Sequence, residues 1–587
     1  MTCGTLVIKI PPIQQESFDP MAGLRKQHRR VVAASTPLRK LRQGRDSFGG
    51  EAAQHKGELL RQLERQSLAK AEDVLALHEV LCFLRAYPDN REVLGQAERM
   101  LACFGQRTDL RRHRRELDDT GIAGTHIQYA FFWFTARWLA QRWPDCLSID
   151  WNEFEAKDRL EGMLSLLLPY SETPDELDLS LRECIEQLKG PGETDAMFLI
   201  RRFQALRTDS FGREKLYDDL EIPLRLTPGP GTPSRTHAKY RRAPVFFQTG
   251  PMILKRPALR RAIPQTQLTV RDVSPREGQR LIDLARESMV TRSRDLDVFE
   301  YGDRNDVRLV DCGGGLQFAC IGAVPERRLM VETVYGFLTL KNGVPTGYVL
   351  ASALFGSSEV AYNVFETFRG GESAHVYGRV LAMVRRLFGS DTFAVDPYQL
   401  GHNNEEGLKS GAWWFYYKLG FRPHDPKIRQ VMNQELARMQ KNRRHRSRLA
   451  TLKELSSESV FFYLGRQRRD VLGRISVGNI GLATGRYVAR RFGADREKGN
   501  RVCAREAARL LGVRSCKSFS AGERLWWERW SPLVLALPGV ERWSGTDRRA
   551  LVKVIRAKGG RRESDFVRLF DGHRRLRRAV LQLAEEE

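Results

Sequence analysis

The chain has 587 residues, which at roughly 150 residues per domain indicates about three or four domains. Hydrophobic residues make up 41% of it and aromatic residues 9%, and these fractions exclude a wholly disordered protein. The formal net charge of +25 favours an anionic partner such as nucleic acid, a phosphorylated cofactor or a membrane surface, and it fits a generally arginine-rich composition equally well.

The nine cysteines are scattered, without a Cys-x-x-Cys pair or a histidine set at zinc spacing. This pattern predicts no metal site, and it fits a reducing compartment because disulfide frameworks are dense in small secreted domains. Residues 1–16 lack the basic region, apolar run and cleavage site of a signal peptide. No apolar stretch reaches the ~18 residues that a membrane helix needs. We therefore expect a soluble, cytoplasmic protein with no membrane span.

The first half of the chain divides into three predicted segments. Residues 1–50 carry a basic stretch after a Pro-Pro break, which predicts a poorly ordered arm. Residues 51–222 have apolar residues at helical spacing and predict a helical domain, in which the aromatic run 127–139 fits a buried helix better than a ligand cage. Residues 223–264 hold eight of the 25 prolines and predict a basic, partly extended linker that crosses the surface of its neighbours.

Residues 265–430 alternate strand and helix patterns. A helix is predicted over 275–289, and Asn342-Gly343 predicts a hairpin between strands 331–340 and 346–355. Gly313-Gly314-Gly315 is interpreted as a connection rather than a loop over a site. Further strands are predicted over 267–273, 359–368 and 392–400, with helices over 374–388 and 404–421.

Residues 431–587 predict a basic helical domain. Arginines are interleaved with Phe461, Phe462, Trp526, Trp527 and Trp530, a pattern that nucleic-acid surfaces share. Because no recognised binding motif accompanies it, a solvated helical face is favoured over a nucleic-acid surface. Nucleic acid therefore stays open as a partner of these helices.

A glycine turn leads directly from the strand ending at Phe368 into the helix over 374–388. The turn comprises Arg369, Gly370, Gly371, Glu372, Ser373 and Ala374. Glycines let a backbone approach a phosphate closely, and the first amides of a helix supply fixed positive potential. Any tight turn between a strand and a helix can use glycine, so this feature alone indicates a pyrophosphate site only weakly.

A second motif lies downstream, in Ala412, Tyr416, Lys418, Gly420 and Phe421. Together with the glycine turn, it resembles the core of the GNAT acyltransferase superfamily over residues 265–430. The resemblance implies a mixed, mainly antiparallel sheet with flanking helices, between all-α domains on either side, and thus an α/β (α+β) fold class. It also implies transfer of an acyl group from acetyl-coenzyme A, or another acyl-coenzyme A, to an amine acceptor.

The resemblance places coenzyme A on Phe368 and on the glycine turn 369–374. Tyr416 occupies the motif position of the phenol that protonates the leaving thiolate. The acceptor amine must lose a proton, and Glu366 near the predicted strand end is the first candidate for the carboxylate that accepts it. Asp396 and His402 are alternatives.

Two positions depart from the family pattern. Glu372 stands where glycine is usual, and its carboxylate would either repel a pyrophosphate or turn outward to favour the helix N-terminus. Lys409 stands where asparagine is common, so the second helix is longer or is kinked at Gly407 or Gly411. The leading hypothesis is an acyl-coenzyme A-dependent N-acyltransferase with an unidentified acceptor. The alternative is a basic nucleic-acid-binding or interaction protein whose GNAT-like domain is catalytically degenerate.

Overall fold

A computed structural model of the chain describes residues 36–585. These residues form a nine-stranded sheet, a separate three-stranded sheet and helices that surround both. The predicted mixture of helix with a large mixed sheet is confirmed. No helix of the described residues has the length and apolar composition that crossing a membrane requires.

Twelve strands build the two sheets. The small sheet has the order β1-β3-β2, and its strands are β1 (Ile127–Tyr129), β2 (Leu147–Ile149) and β3 (Leu224–Leu226). The large sheet has the order β11-β12-β10-β9-β8-β7-β6-β5-β4. Its strands are β4 (Thr269–Asp272), β5 (Gly302–Asp311), β6 (Leu316–Ala323), β7 (Thr333–Lys341), β8 (Val344–Leu354), β9 (Ser357–Val364), β10 (Thr392–Val395), β11 (Arg422–Pro423) and β12 (Val460–Tyr463).

Helices precede, interrupt and follow the large sheet. Those before it are Thr36–Gln43, Gly50–Arg65, Ala71–Ala86, Arg91–Ala102, Thr108–Arg112, Trp133–Arg142, Lys157–Leu167, Pro174–Leu177, Leu181–Leu188, Asp195–Ala205, Ser210–Asp218 and Leu259–Gln265. Those between its strands are Pro275–Val290, Asp297–Glu300, Ser373–Phe388, Pro397–Leu400, Glu405–Ser410, Ala412–Leu419, Pro426–Lys441 and Leu449–Leu455. Those after it are Val477–Phe492, Arg496–Leu511, Ala521–Ala536, Gly545–Lys558, Glu563–Gly572 and Arg574–Glu585.

Alternation along the strands sends side chains to two separate cores. Tyr335, Phe337 and Val349 face the helix Ser373–Phe388 and the C-terminal helices. Leu338 and Leu340 face the other way, toward the helix Pro275–Val290 and the N-terminal helices. The large sheet is therefore covered by helices on both faces.

The hairpin between β7 and β8 forms where the sequence predicts it. Asn342 has φ 50° and Gly343 has φ 77°, and a two-residue turn with both central residues at positive φ matches the right-handed twist of the strands. The helix Pro275–Val290 also forms where it is predicted, over 275–289. The Ser274 side chain caps its N-terminus by accepting a hydrogen bond from the Glu277 amide at 3.3 Å.

Several predictions for the first half of the chain need correction. Residues 1–35 of the predicted arm lie outside the described residues, but the rest of that arm contains the helix Thr36–Gln43, whose Leu38 and Leu41 are buried. The aromatic run predicted as one helix begins instead with β1, and its helix starts at Trp133 because β1 pairs with β3. The predicted all-helical domain therefore contains strands.

The proline-rich segment 223–264 begins with β3 and ends with the helix Leu259–Gln265. Between them the chain is extended and crosses its neighbours, with Thr236, Ala238 and Tyr240 buried. Proline blocks ladder formation but leaves the side chains between the prolines free to pack. The segment is thus part of the packed structure.

The predicted all-α C-terminal part also needs correction. β12 lies beyond residue 430, and it pairs antiparallel with β10 on one side and with β11 on the other. The central sheet is therefore completed by residues 460–463, inside the stretch that the arginine-rich sequence predicts as helical.

Candidate functional site

β9 and β10 run parallel and then part. They pair only at Ser357 with Thr392, Ser358 with Phe393 and Glu359 with Ala394. β9 continues to Val364 along β8, whereas β10 ends at Val395. No β10 residue pairs with residues 360–364, so the two strands are no longer hydrogen-bonded to each other at their carboxyl ends, and we call this divergence the wedge.

The predicted strand over 359–368 is shorter than expected. β9 ends at Val364, and a short 3-10 turn over Glu366–Phe368 follows. Glu366 therefore lies on an exposed turn, where its charge acts on Arg235, rather than at the end of a strand. Phe368 is buried beneath this turn.

The glycine turn lies between β9 and the 16-residue helix Ser373–Phe388, in the predicted order. Gly370 has φ 87°, a left-handed conformation that favours glycine, and it is exposed. Arg369, whose side chain is 43% exposed, forms an ion pair with Glu406. Its Nε also donates to the Val364 carbonyl at 3.1 Å, so the guanidinium is held at the mouth of the wedge.

Glu372 adopts neither of its two predicted orientations. Its side chain is 7% exposed, its Oε2 lies 3.5 Å from Lys341 Nζ, and its Oε1 accepts a hydrogen bond from the Ile253 amide at 3.1 Å. Lysine neutralises the carboxylate, which therefore does not confront an anion as an unpaired charge. This contact also attaches the extended segment 246–258, which we call the strap, to the start of the helix.

The strap lies directly against the glycine turn. A Cβ atom added to Gly371 would come within 2.6 Å of Met252 Cε, and one added to Gly378 would come within 3.0 Å of Pro257 Cγ. The strap is anchored at Asn342, whose Oδ1 accepts from the Phe246 amide at 2.7 Å. A ligand on the first turn of the helix would thus contact strap residues as well.

Tyr416 lies in an aromatic group on the same face of the sheet as the helix Ser373–Phe388. Its side chain is only 4% exposed. Its ring centroid is 5.4 Å from that of Tyr377, and the Tyr377 ring is 5.4 Å from that of Tyr362 on β9. Burial raises the pKa of Tyr416 above its usual value, which makes the phenol a weaker proton donor.

A pair of carboxyl groups lies on the opposite face of the wedge. Glu359 is the last β9 residue that pairs with β10, opposite Ala394, and Asp396 is two residues further along, so both side chains point to the same face. The Glu359 side chain is partly exposed and makes no hydrogen bond among residues 36–585. Burial, and then the nearby Asp396, raise the pKa of Glu359 to about 8.

Asp396 is held more firmly than Glu359. It caps the short helix Pro397–Leu400 by accepting a hydrogen bond from the Tyr398 amide at 2.8 Å. Burial raises its pKa, and the exposed His402 nearby counteracts that rise. The structure therefore brings together the two alternatives, Asp396 and His402, and adds Glu359, which sequence reasoning missed.

The same face carries a tyrosine and an arginine toward the end of β9. Tyr348 pairs with Asn363 across β8 and β9, and Arg294 Nη1 donates to the Tyr348 hydroxyl at 2.8 Å. Asn363 Oδ1 is buried and has no hydrogen-bond partner among residues 36–585. This face of the wedge is therefore polar, with a carboxyl pair at one end and a guanidinium at the other.

The second helix of the motif is broken as expected. Gly411 has φ 67° and separates the helices Glu405–Ser410 and Ala412–Leu419, which confirms the kink predicted at Gly407 or Gly411. Lys409 is exposed, and its Nζ lies 2.8 Å from Glu405 Oε2. It takes no part in the wedge.

The tryptophans of the C-terminal half are structural. Trp526, Trp527 and Trp530 are at most 4% exposed. Their indole nitrogens donate to the carbonyls of Pro325, Ala504 and Met330 at 2.8, 3.2 and 2.7 Å. Rings buried in this way offer no face on which a base could stack.

Comparison with family models, with curated proteins and with solved structures finds no match to this chain. Within residues 36–585, no group of three or more histidine, cysteine, aspartate or glutamate side chains is arranged to hold a metal ion. The chemistry of the site must therefore be argued from its own geometry.

Proposed function

We propose that the protein is an acyl-coenzyme A-dependent acyltransferase that acts on an amine, with N-acetyl transfer as its simplest form. The observation that carries the proposal is the wedge between β9 and β10. A glycine turn and a helix N-terminus adjoin it on one face, and the Glu359–Asp396 carboxyl pair adjoins it on the other. A thioester in the wedge would lie between an anion-binding turn and a proton acceptor.

Glu359 suits the role of general base. An acceptor amine must be neutral to attack a thioester, and the most effective base has a pKa near the working pH. The pKa of Glu359, raised to about 8, meets that condition, whereas an ordinary carboxyl is too weak a base. Asp396 supports this role, because a second negative charge nearby makes Glu359 hold its proton more tightly.

The other reacting groups are supplied by β9 and by the aromatic group. Amides of β9 beyond Glu359 have no β10 partner and are candidates to stabilise the oxyanion of the tetrahedral intermediate. Tyr416 remains the predicted proton donor to the leaving thiolate. Glu366 remains a second candidate base on its exposed turn.

Two measurements test the proposal. Calorimetry should detect binding of acetyl-coenzyme A to the full chain, and release of free thiol should follow addition of an amine acceptor from a panel of polyamines, amino acids and lysine peptides. Glu359→Gln should lower kcat about 10²- to 10⁴-fold and leave binding of acetyl-coenzyme A unchanged. Glu366→Gln, the control, should retain activity.

Absence of any heat at saturating acetyl-coenzyme A would contradict the proposal. Full activity in Glu359→Gln would contradict the assignment of the base. A loss confined to Glu366→Gln would return that role to Glu366.

A second candidate function is an interaction module whose acyl-coenzyme A site is degenerate. The strap favours it, because Met252 packs on Gly371 and Glu372 is bound to Lys341 and to the Ile253 amide. If the strap and Glu372 block the site, Glu372→Gly combined with Met252→Ala should create affinity for coenzyme A that the native chain lacks. If the native chain and this variant both bind coenzyme A, and with equal affinity, the degenerate module is excluded.

A further inference from the structure

A small cavity lined by three arginines lies behind the turn that follows β9. It has a volume of about 10 Å³, and its lining includes Arg85, Arg235, Arg292 and Thr367. Arg85 comes from the helix Ala71–Ala86, Arg235 from the extended segment before the strap, and Arg292 from the end of the helix Pro275–Val290. Three separate parts of the fold therefore contribute an arginine to the lining of one cavity.

Only one of the three arginines has a carboxylate partner among residues 36–585. Arg235 forms an ion pair with Glu79, and its Nη2 donates to Thr367 Oγ1 at 2.9 Å. The charge of Glu366 also acts on Arg235. This guanidinium is thus compensated.

The positive charges of Arg85 and Arg292 are not compensated by a carboxylate of the described residues. Arg85 is 4% exposed, its Nη atoms donate to backbone carbonyls, and its Nε is buried with no partner in the described part of the chain. Arg292 Nη1 donates to the Ser288 carbonyl at 2.8 Å and to Thr291 Oγ1 at 3.2 Å, and its guanidinium lies 3.5 Å from the Phe365 ring centroid. Neither has a carboxylate within 4.0 Å among the described residues.

Charges without a counter-charge are rare away from water, because removing an ion from water costs several kcal/mol, and here Arg85 is buried and Arg292 is partly buried. Burial and the neighbouring Arg235 lower the pKa of Arg292 well below its ordinary value, which reflects the same imbalance. Cys82 also lines the cavity, but burial raises the pKa of its thiol, so this group stays neutral and supplies no compensation.

We infer that the cavity binds a small monovalent anion between Arg85, Arg235 and Arg292. A cavity of this volume has room for one group of water or chloride size. The occupant is therefore a chloride ion or one carboxylate oxygen of a formate-like group. The anion would neutralise Arg292 and hold Thr367 in place, two residues before Arg369.

Thermal unfolding of the full chain in salts of different anions tests this inference. At equal ionic strength, sodium chloride or sodium formate should raise the melting temperature by about 2 °C relative to sodium gluconate, whose anion is too large to enter. A rise with chloride alone would identify an inorganic site, and a rise with formate alone would identify a carboxylate site. Identical melting in all three salts would overturn the inference.

Arg292→Met separates anion binding from general salt effects. The variant should melt at least as high as the native chain in gluconate, because it removes an unpaired, partly buried charge, and it should lose the rise with chloride or formate. Arg280→Met, on the exposed face of the preceding helix, is the matched control and should keep that rise. Retention of the full rise in Arg292→Met would overturn the inference.

Chloride-35 NMR gives a direct measurement if chloride is the occupant. The native chain should broaden the chloride line, competing formate should reverse the broadening, and Arg292→Met should broaden it less than Arg280→Met does. If the site is specific for formate, the chloride line should not broaden, and the melting temperature should rise in formate alone. Equal broadening by the two variants would assign the chloride signal to surface arginines and overturn the inference.

Discussion

We expect the stability of the native chain to depend on pH between about pH 5 and pH 8, and Glu359→Gln should remove much of that dependence. Burial, reinforced by Asp396, raises the pKa of Glu359 from 4.5 to about 8 in the folded protein. In the unfolded chain the carboxyl group titrates near its ordinary value. Between the two pKa values the folded state therefore holds a proton that the unfolded state has released, and stability falls as the pH rises.

The size of this effect follows from the displacement of the pKa. One pKa unit corresponds to about 1.36 kcal/mol, so a displacement from 4.5 to about 8 corresponds to at most about 5 kcal/mol. Water reaches the partly exposed Glu359 and weakens the penalty for its charge, so we expect a measured fall of about 1–3 kcal/mol. The raised pKa of Asp396 also lowers stability as the pH rises, and this part of the pH dependence should persist in Glu359→Gln.

Urea unfolding followed by tryptophan fluorescence at pH 5.5, 6.5, 7.5 and 8.5 measures this dependence. The free energy of unfolding of the native chain should fall across the series, and the fall should be clearly smaller in Glu359→Gln. Glu161→Gln, an exposed carboxyl on the helix Lys157–Leu167, is the control and should follow the native chain. Equal slopes for the native chain and Glu359→Gln would refute the reasoning about the carboxyl pair.

Two further substitutions test the packing of the C-terminal helices. Gly559→Ala should destabilise the protein by about 2–4 kcal/mol in urea unfolding, because its Cβ would lie 2.1 Å from the carbonyl oxygen of Gly522. Gly572→Ala, which meets nothing within 4 Å, should change stability by less than about 1 kcal/mol, and a similar loss in both variants would contradict the steric argument. Lys558→Met should cost about 3 kcal/mol in the same assay, because it leaves Glu563, whose side chain is 1% exposed, with only the longer contact of 3.9 Å to Arg328. A neutral result would show that Arg328 alone compensates the charge of Glu563.

Features set by neighbouring residues could be predicted from the sequence. Asn342-Gly343 specifies its hairpin because both residues tolerate positive φ, and Ser274-Pro275 begins its helix by supplying a cap and a fixed φ. The glycine turn and the kink at Gly411 follow from the same local preferences. These features locate one end of the candidate site.

Features set by distant partners could not be predicted. β9 ends at Val364 rather than Phe368 because its pairing with β8 ends there. The predicted end at Phe368 therefore favoured Glu366 as the base, and Glu359, which lies at the point where β10 stops pairing, was not predicted. No residue near Glu372 in the sequence indicates that its side chain contacts Lys341 and the strap. The arginines of the cavity are likewise far apart in the chain, so their convergence appears only in the folded structure.

The position of β12 limits where the chain can be truncated and when its central sheet can form during translation. A polypeptide ending at residue 430, where the sequence pattern changes, would leave β10 with an unpaired edge and β11 with no neighbour. Such an edge is a template for aggregation. During translation, about 65 residues must be added after β10 before its partner β12 is available. A recombinant fragment of the central domain should therefore extend beyond Tyr463 to remain in solution.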